Sequence, residues 1–119
     1  MSYIDKLFDI KNQVLVITGA GGYLCSEIAI GFAKAGAKVA VLDLRLEKAQ
    51  NVADKIIELG GGAIALEIDV ANKEEHIASL EVILDKFGSV DVLINGAGTN
   101  CATPFFELSL NEWHSVMNS

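Results

Sequence analysis

Residues 14–43 read VLVITGAGGYLCSEIAIGFAKAGAKVAVLD, and this stretch decides the fold. Residues 14–17 are all aliphatic and lead into a loop with glycines at positions 19, 21 and 22. A helical pattern follows, and then a second apolar run that ends at Asp43. Apolar runs with almost no alternation are typical of parallel strands buried on both faces. A strand, a glycine turn, a helix and a strand ending in a carboxylate together predict a dinucleotide-binding βαβ unit.

The glycine loop has the properties that phosphate binding requires. Glycine tolerates positive φ, and without a β-carbon its main chain can approach a ligand closely. A helix starting near Gly22 presents unpaired N–H groups and the positive end of its dipole, which suits a pyrophosphate. Asp43 follows Gly19 at about the 20-residue separation expected of a carboxylate that accepts hydrogen bonds from an adenosine ribose.

The loop matches no common fingerprint in full. The pattern G-x-G-x-x-G, read from Gly19, fails at Leu24. The pattern T-G-x-x-x-G-x-G, read from Thr18, fails at Tyr23 and Cys25. A glycine-rich turn in another doubly wound protein is therefore the alternative for this stretch taken alone.

Composition narrows the class of protein. The chain has 119 residues and a formal net charge of −7, which predicts a single domain that binds neither nucleic acid nor an anionic membrane. No signal peptide and no apolar run of membrane-spanning length are visible, and Cys25 and Cys101 form no C-x-x-C motif. We therefore expect reduced thiols and a cytoplasmic protein. His76 and His114 have no neighbouring ligand pattern, so no metal site is predicted.

Strand and helix patterns alternate along the chain. Strands are predicted at 14–18, 38–43, 63–69 and 91–95, and helices at about 22–35, 46–59, 73–87 and from 110 onward. Asn72 with Glu75 and Ser109 with Glu112 predict two capping boxes. Strands alternating with helices at these spacings indicate a parallel sheet with right-handed crossovers.

Helical spacing predicts which side chains are buried. The expected buried sets are Leu24, Ile28, Ala29, Phe32 and Ala35 on the first long helix, Leu46, Ala49, Val52, Ala53, Ile56 and Leu59 on the second, and Ile77, Leu80, Leu84 and Phe87 on the third. Leu7, Phe8 and Ile10 are expected to hold the N-terminus against the sheet.

Four motifs at the ends of the predicted strands agree with one family. They are Thr18-Gly19-Ala20, Asp43, Asp69-Val70 and Asn95-Gly96-Ala97-Gly98. Together they resemble the first half of a short-chain dehydrogenase/reductase, as do the lead-in LFDIKNQVLVITGA and the later Glu112-Trp113 and Val116-Met117 pairs. The resemblance covers essentially all residues. It implies an α/β, Rossmann-like doubly wound parallel sheet of strand order 3-2-1-4, with strands 5–7 of full-length members absent, so that residues 1–119 form one partial dinucleotide-binding domain.

The same resemblance implies a cofactor and the residues that bind it. Those residues are Gly19, Gly21, Gly22, Tyr23, Leu24, Asp43, Leu44, Asp69, Val70, Asn95, Ala97 and Gly98. The glycines would surround the pyrophosphate, Asp43 would bind the adenosine ribose, and Asp69 with Val70 would border the adenine. Because a 2′-phosphate would meet the like charge of Asp43, NAD is favoured over NADP.

Several of these residues have structural alternatives. Asp43 could instead cap the following helix, and Arg45 could recruit a 2′-phosphate and favour NADP. Asp69 could simply open a turn, and Asn95 could tie neighbouring strands together. Cys101 has no basic partner nearby, so we interpret it as an ordinary small residue rather than a nucleophile.

The resemblance also implies catalytic groups that this sequence lacks. Family members carry a serine, a tyrosine followed four residues later by a lysine, and an asparagine. The only tyrosines here are Tyr3 and Tyr23, and neither precedes a lysine at that spacing. We therefore expect this chain alone to bind nucleotide without turnover, a small-molecule substrate being handled only in a full-length form.

Two further expectations concern the branch of the family and the assembly. The G-G-x-L-C variation of the loop resembles sugar-acid members related to mannonate or gluconate oxidoreductases. A fourth strand on an exposed sheet edge, with the final helix, predicts a homo-oligomer.

A non-catalytic nucleotide-binding or interaction module built on a half-Rossmann unit is the alternative function.

Overall fold

The computed structural model describes residues 2–98 and 102–118. Its elements in chain order are α1 (Tyr3–Leu7), β1 (Val14–Thr18), α2 (Tyr23–Lys34), β2 (Lys38–Asp43), α3 (Leu46–Glu58), β3 (Ala63–Glu67), α4 (Lys73–Phe87), β4 (Val92–Asn95), a 3₁₀ turn (Phe105–Glu107) and α5 (Leu110–Met117). The predicted alternation of strands and helices is confirmed.

The four strands form one parallel sheet in the order β3-β2-β1-β4. The predicted doubly wound, Rossmann-like topology is therefore confirmed. Thr18 pairs with Leu42 on one side and with Asn95 on the other, so the carboxyl ends of β1, β2 and β4 meet at one edge of the sheet. The strand order reverses between β1 and β4, and such a reversal opens a crevice beyond the strand ends.

Helices cover both faces of the central strands. On one face, Leu15, Ile17, Val39 and Val41 pack with buried residues of α2 and α3. On the other, Val14, Val16, Ala40 and Leu42 pack with Ile68 and with Ile83 of α4. This double coverage explains why β1 and β2 are apolar without alternation.

Two strand predictions were one or two residues too long. The third strand ends at Glu67 rather than residue 69, because the N–H of Ile68 makes the last bond to β2 and Asp69 then opens a turn. The fourth begins at Val92 rather than residue 91, because the side chain of Asp91 accepts a hydrogen bond from the N–H of Val14 at 2.8 Å.

Some predicted buried faces were wrong. On α2, Leu24 and Ala35 are exposed, whereas Cys25 packs on the core beside Ile28 and Phe32. On α3 the four central predictions hold, but Leu46 and Leu59 at the two ends are exposed. On α4 the buried residues are Ser79 and Ile83, and Ile77, Leu80 and Leu84 are exposed. The physical reason is that α4 meets the sheet through a narrow stripe, and its wider apolar face is not covered by the described residues.

The N-terminal prediction was wrong for two of its three residues, since only Ile10 is half-buried. Ser2 and Asp5 form a capping box that starts α1, and Leu7 and Phe8 are exposed rather than packed on the sheet. Of the two predicted boxes further along, the Ser109–Glu112 box is present. Asn72 caps α4 by accepting from the amides of Glu74 and Glu75, but within the described part of the chain the Glu75 side chain does not complete a box.

Candidate functional site

A cleft of about 480 Å³ opens beyond the carboxyl ends of the strands. It is lined by Gly19, Gly22, Asp43, Leu44, Arg45, Lys48, Ile68, Asp69, Val70, Gly96, Ala97 and Gly98. The lining comes from the segments that follow β1, β2, β3 and β4 in turn. The topological reversal of the sheet therefore forms the cleft.

The turn after β1 requires glycine at its first position. Gly19 has φ of +66°, and a β-carbon there would lie 2.7 Å from the carbonyl carbon and oxygen of Gly96. Gly22 is the N-cap of α2, and no side chain accepts a hydrogen bond there. The amides of residues 20–22 in the turn donate to acceptors within the protein, so the main-chain surface suited to an anion is the first turn of α2, whose amides have no partner within the helix.

Asp43 lies at the end of β2 and joins the glycine turn to the start of α3. Its Oδ2 accepts a hydrogen bond from the N–H of Gly21 at 2.9 Å, and its Oδ1 accepts one from the N–H of Arg45 at 2.9 Å. The second contact closes a turn just before α3; it does not make Asp43 the cap that was the alternative reading, because the N-cap of α3 is Arg45. Each carboxylate oxygen keeps further acceptor capacity, so the same group can also bind a hydroxyl in the cleft.

Gly21 is enclosed by the residues that fix Asp43. A β-carbon at Gly21 would lie 2.8 Å from Asp43 Oδ2 and 2.6 Å from the β-carbon of Lys48. The turn and the carboxylate are thus packed so closely that only glycine fits between them.

The segment after β3 forms a second wall of the cleft. Asp69 Oδ1 accepts from the N–H of Ala71 at 3.0 Å, and the carbonyl of Asp69 accepts from Asn72, so Asp69 does open a turn. Asp69 nevertheless lines the cleft, together with Val70. His76 Nε2 lies 2.7 Å from the carbonyl oxygen of Val70 and holds this wall from α4.

The loop after β4 is attached to β1 through a buried hydroxyl. Thr18 is buried, and its Oγ1 accepts hydrogen bonds from the N–H groups of Gly96 at 3.1 Å and Ala97 at 3.3 Å. Asn95 is exposed and lines a separate apolar groove of about 230 Å³ between α4 and β4, not the cleft.

The structure brings most of the predicted binding residues together. Eight of them line the cleft: Gly19, Gly22, Asp43, Leu44, Asp69, Val70, Ala97 and Gly98. Gly21 lies beside it through its bond to Asp43. Tyr23 and Leu24 are outside the lining and are 87% and 69% exposed, so the Tyr23 ring does not fill the turn.

Sequence reasoning missed three residues of the lining and considered a fourth only as an alternative. Lys48 and Arg45 flank the first turn of α3, and Ile68 lay inside a strand predicted too long. Gly96 was part of a quoted motif but received no role. The signal available for Lys48 was its position in the first turn of the helix that follows Asp43.

Residues 2–98 and 102–118 contain neither a group of metal ligands nor a helix that could span a membrane. Over these residues, no three His, Cys, Asp or Glu side chains come together as a metal site. No helix in the same part of the chain is long and apolar enough to cross a membrane. Cys101 lies outside the described residues.

Comparison with known proteins assigns the family. The family model described as short chain dehydrogenase matches residues 13–119. The chain belongs to the short-chain dehydrogenase/reductase family. The glycine turn, the carboxylate at the end of β2 and the loop after β4 are thus parts of this family's Rossmann-type fold.

Curated members of the short-chain dehydrogenase/reductase family are similar over most of the chain. It is 43% identical over 96 residues to the 7alpha-hydroxysteroid dehydrogenase of Escherichia coli K12, which covers 81% of this chain and 38% of that enzyme. It is 44% identical over 92 residues to the oxidoreductase UxuB of Bacillus subtilis, covering 77% of this chain and 33% of the relative. The chain thus spans less than two fifths of the length of these relatives.

Solved structures of the same family share the fold. A Haemophilus influenzae protein described as a D-mannonate oxidoreductase, with NAD bound, superposes with a TM-score of 0.86 at 34% identity over 97% of this chain and 47% of the other. A short-chain dehydrogenase/reductase from Mycobacterium marinum superposes with a TM-score of 0.92 at 30% identity, covering 99% and 47% of the two chains. The first of these fits the sugar-acid branch suggested by the loop sequence.

Proposed function

We propose that the cleft binds a nicotinamide adenine dinucleotide, and that it prefers NAD to NADP. The observation that carries this proposal is the carboxylate of Asp43, which is fixed at the cleft by the amide of Gly21. A carboxylate held there can accept both hydroxyls of an adenosine ribose while the glycine turn faces the adjoining phosphates. The NAD bound to the Haemophilus influenzae protein supports the same ligand class.

The residues present fit such a group. The main chain at Gly19 and Gly21 lies so close to its neighbours that a β-carbon would clash, so the turn packs tightly beside the first amides of α2, which are the ones available to a phosphate. The uncapped start of α2 adds the positive end of a helix dipole. On the other walls, Asp69 and Val70 would border the adenine, and Ala97 and Gly98 would approach the nicotinamide ribose.

Arg45 and Lys48 support NADP as a second candidate. Both line the cleft beside Asp43 and carry the positive charge that a 2′-phosphate requires. The carboxylate of Asp43 opposes that phosphate from the position that faces the ribose. Because Asp43 is held in place by two backbone amides, we favour its effect over that of two exposed side chains.

When bound, the dinucleotide supplies a nicotinamide ring that exchanges a hydride with an alcohol or carbonyl compound. Residues 1–119, proposed as a single partial domain, would bind and orient it.

Tyr3 and Tyr23 are both exposed and neither lines the cleft, so we assign no catalytic residue in this chain. We infer that a sugar-acid substrate is handled only in a longer form. A nucleotide-binding module without catalysis is the second candidate, and it is favoured by the lack, in residues 1–119, of a tyrosine followed four residues later by a lysine.

Titration calorimetry with NAD and NADP tests the proposal. The wild-type protein should bind NAD more tightly than NADP. Hydrogen bonds to a charged group are worth about 1.5–3 kcal/mol, so Asp43→Asn should weaken NAD binding roughly 10- to 100-fold. Asp54→Asn is the control, because Asp54 is an exposed acid on α3 that contacts only Gln50 among the interactions described for it.

Three outcomes separate the candidates. Equal or tighter binding of NADP by the wild type, lost in Arg45→Ala, would replace NAD by NADP. Binding of neither nucleotide would reject a dinucleotide site. A tyrosine and a lysine four apart, encoded beyond codon 119, would support the oxidoreductase over the non-catalytic module.

A further inference from the structure

The side chain of Cys25 packs against the main chain of Gly96. Cys25 lies in the first turn of α2, is half-buried and contacts the core on one face of the sheet. Its Sγ occupies the space that a β-carbon at residue 96 would need. The carbonyl oxygen of Thr18 would lie 2.7 Å from the same added carbon. On the side where a β-carbon would lie, residue 96 is therefore contacted by α2 and by the end of β1.

We propose that Cys25 is a positioning residue, which sets the distance between the glycine turn and the loop at residues 96–98. The Thr18 hydroxyl accepts from the amide of Gly96, and the Cys25 sulfur bears on the same residue from α2. The hydroxyl prevents the loop from moving away, and the sulfur prevents it from moving closer. This inference rests on the proposed dinucleotide site and concerns its β4 side.

The placement of Cys25 predicts an effect on one half of the ligand. Gly96, Ala97 and Gly98 form the wall that we assign to the nicotinamide ribose, whereas Asp43 and Asp69 form the walls assigned to adenosine. A change in the size of residue 25 should move the first wall and leave the others in place. Binding of NAD should therefore change while binding of 5′-AMP, which has only the adenosine half, does not.

Calorimetric titration of three variants with NAD and with 5′-AMP tests this split. Cys25→Ser nearly preserves the size and should bind both ligands within about threefold of the wild type. Cys25→Leu overpacks the contact and should weaken NAD binding about tenfold or more, with 5′-AMP changed less than about threefold. Gly31→Ala is the control on the same helix, because an added methyl group there meets nothing within 4 Å.

A double-variant cycle provides a second readout if Cys25→Leu folds poorly. Gly96→Ala should weaken NAD binding, and Cys25→Ala should weaken it a few-fold by leaving the loop unsupported. In the combined variant, the methyl group at 96 enters the space left by the sulfur. The combined loss should thus be smaller than the product of the two single losses, although the Thr18 carbonyl prevents full recovery.

The outcomes distinguish this inference from the proposed function. If the wild type binds 5′-AMP but the Cys25→Leu variant loses NAD and 5′-AMP equally, or loses neither, the positioning role is rejected. Single losses that simply multiply in the double variant reject it as well. If the wild type binds neither ligand, the proposed dinucleotide site itself is rejected.

Discussion

Single residues at the two ends of β1 attach the strand to its neighbours, and those at its carboxyl end shape the site. At the carboxyl end, Gly19 adopts positive φ against the main chain of Gly96, and the Thr18 hydroxyl accepts from two amides of the same loop. At the amino end, the carboxylate of Asp91 accepts from the amide of Val14. These contacts depend on atoms at particular positions, and periodicity carries no information about them.

Replacing Gly19 by alanine should destabilise the protein. The added β-carbon would lie 2.7 Å from main-chain atoms of Gly96, and the residue would keep a φ of +66°. Steric strain of this kind costs about 1–3 kcal/mol in the free energy of unfolding. Urea unfolding measures the change, with Gly31→Ala as the matched substitution. That control should be neutral or stabilising by up to about 1 kcal/mol, because Gly31 lies within α2 in open space. Equal effects of the two substitutions would contradict the prediction.

Removal of the Asp91 carboxylate should also lower stability. Val14 is buried, and in Asp91→Ala its N–H would lose the acceptor at 2.8 Å. An unsatisfied buried donor costs about 1–3 kcal/mol, which urea unfolding can resolve. Asp85→Ala, at an exposed position on α4, should change the free energy of unfolding by less than about 0.5 kcal/mol. A loss in Asp91→Ala no larger than in this control would refute the assigned role.

At the scale of elements, the sequence predicted every strand and long helix, because apolar runs, glycines and capping residues mark their ends. It predicted burial well on α3, where both the sheet and α2 contact the helix and Ala49, Val52, Ala53 and Ile56 are all buried. It predicted burial poorly on α4, whose apolar residues exceed the area that the described sheet covers. Amphipathic spacing reports how apolar a face is, and the extent of its cover depends on the rest of the fold.

The capping box of α5 should give a measurable pH dependence. Hydrogen bonds from the hydroxyl of Thr103, the amide of Ser109 and the hydroxyl of Ser109 lower the pKa of the Glu112 carboxyl. A lowered pKa in the folded state means that the deprotonated group stabilises the helix, fully above the ordinary glutamate value of about 4.3 and decreasingly as the pH falls through the lowered value.

A carbon-detected NMR titration of Glu112 measures this effect. Its midpoint should lie below the ordinary value in the wild type and move upward in Thr103→Val and in Ser109→Ala, since each removes a donor. An unchanged midpoint in both variants would contradict the proposed source of the shift.

At the scale of the whole molecule, most of the site could be predicted because strand ends in a parallel sheet converge. Asp43 is the last residue of β2, and Asp69 and Ala97 come just after β3 and β4. The topology alone brings these three residues to one cleft. Arg45 and Lys48 were harder to place, because their contribution depends on how α3 leaves the sheet. The size match between Cys25 and Gly96 could not be predicted, since it depends on a distance between segments far apart in sequence.

The outer edge of β4 predicts self-association. Among residues 2–98 and 102–118, β4 pairs with β1 only. Leu93, which is a residue of β4, is 57% exposed. Leu110 and Met117 on α5 are exposed as well. Light scattering after size exclusion should therefore show a mass above that of the monomer. Leu93→Lys should weaken the association about tenfold, whereas Leu59→Lys, at an exposed position after α3, should not. A wild-type protein that is a stable, folded monomer would contradict this expectation.

The polar contacts at both ends of β1 have a consequence for the alignment of β4. They join residues 77 and 78 positions apart, one through Asp91 and the other through Thr18. β4 itself is only four residues long, so its packing on the core comes from just two side chains, those of Val92 and Ile94. A slip of one residue would invert its inward and outward side chains and would break both contacts at once. The alignment of the last strand is thus encoded in two polar side chains that lie at its margins, one before it and one on its neighbour.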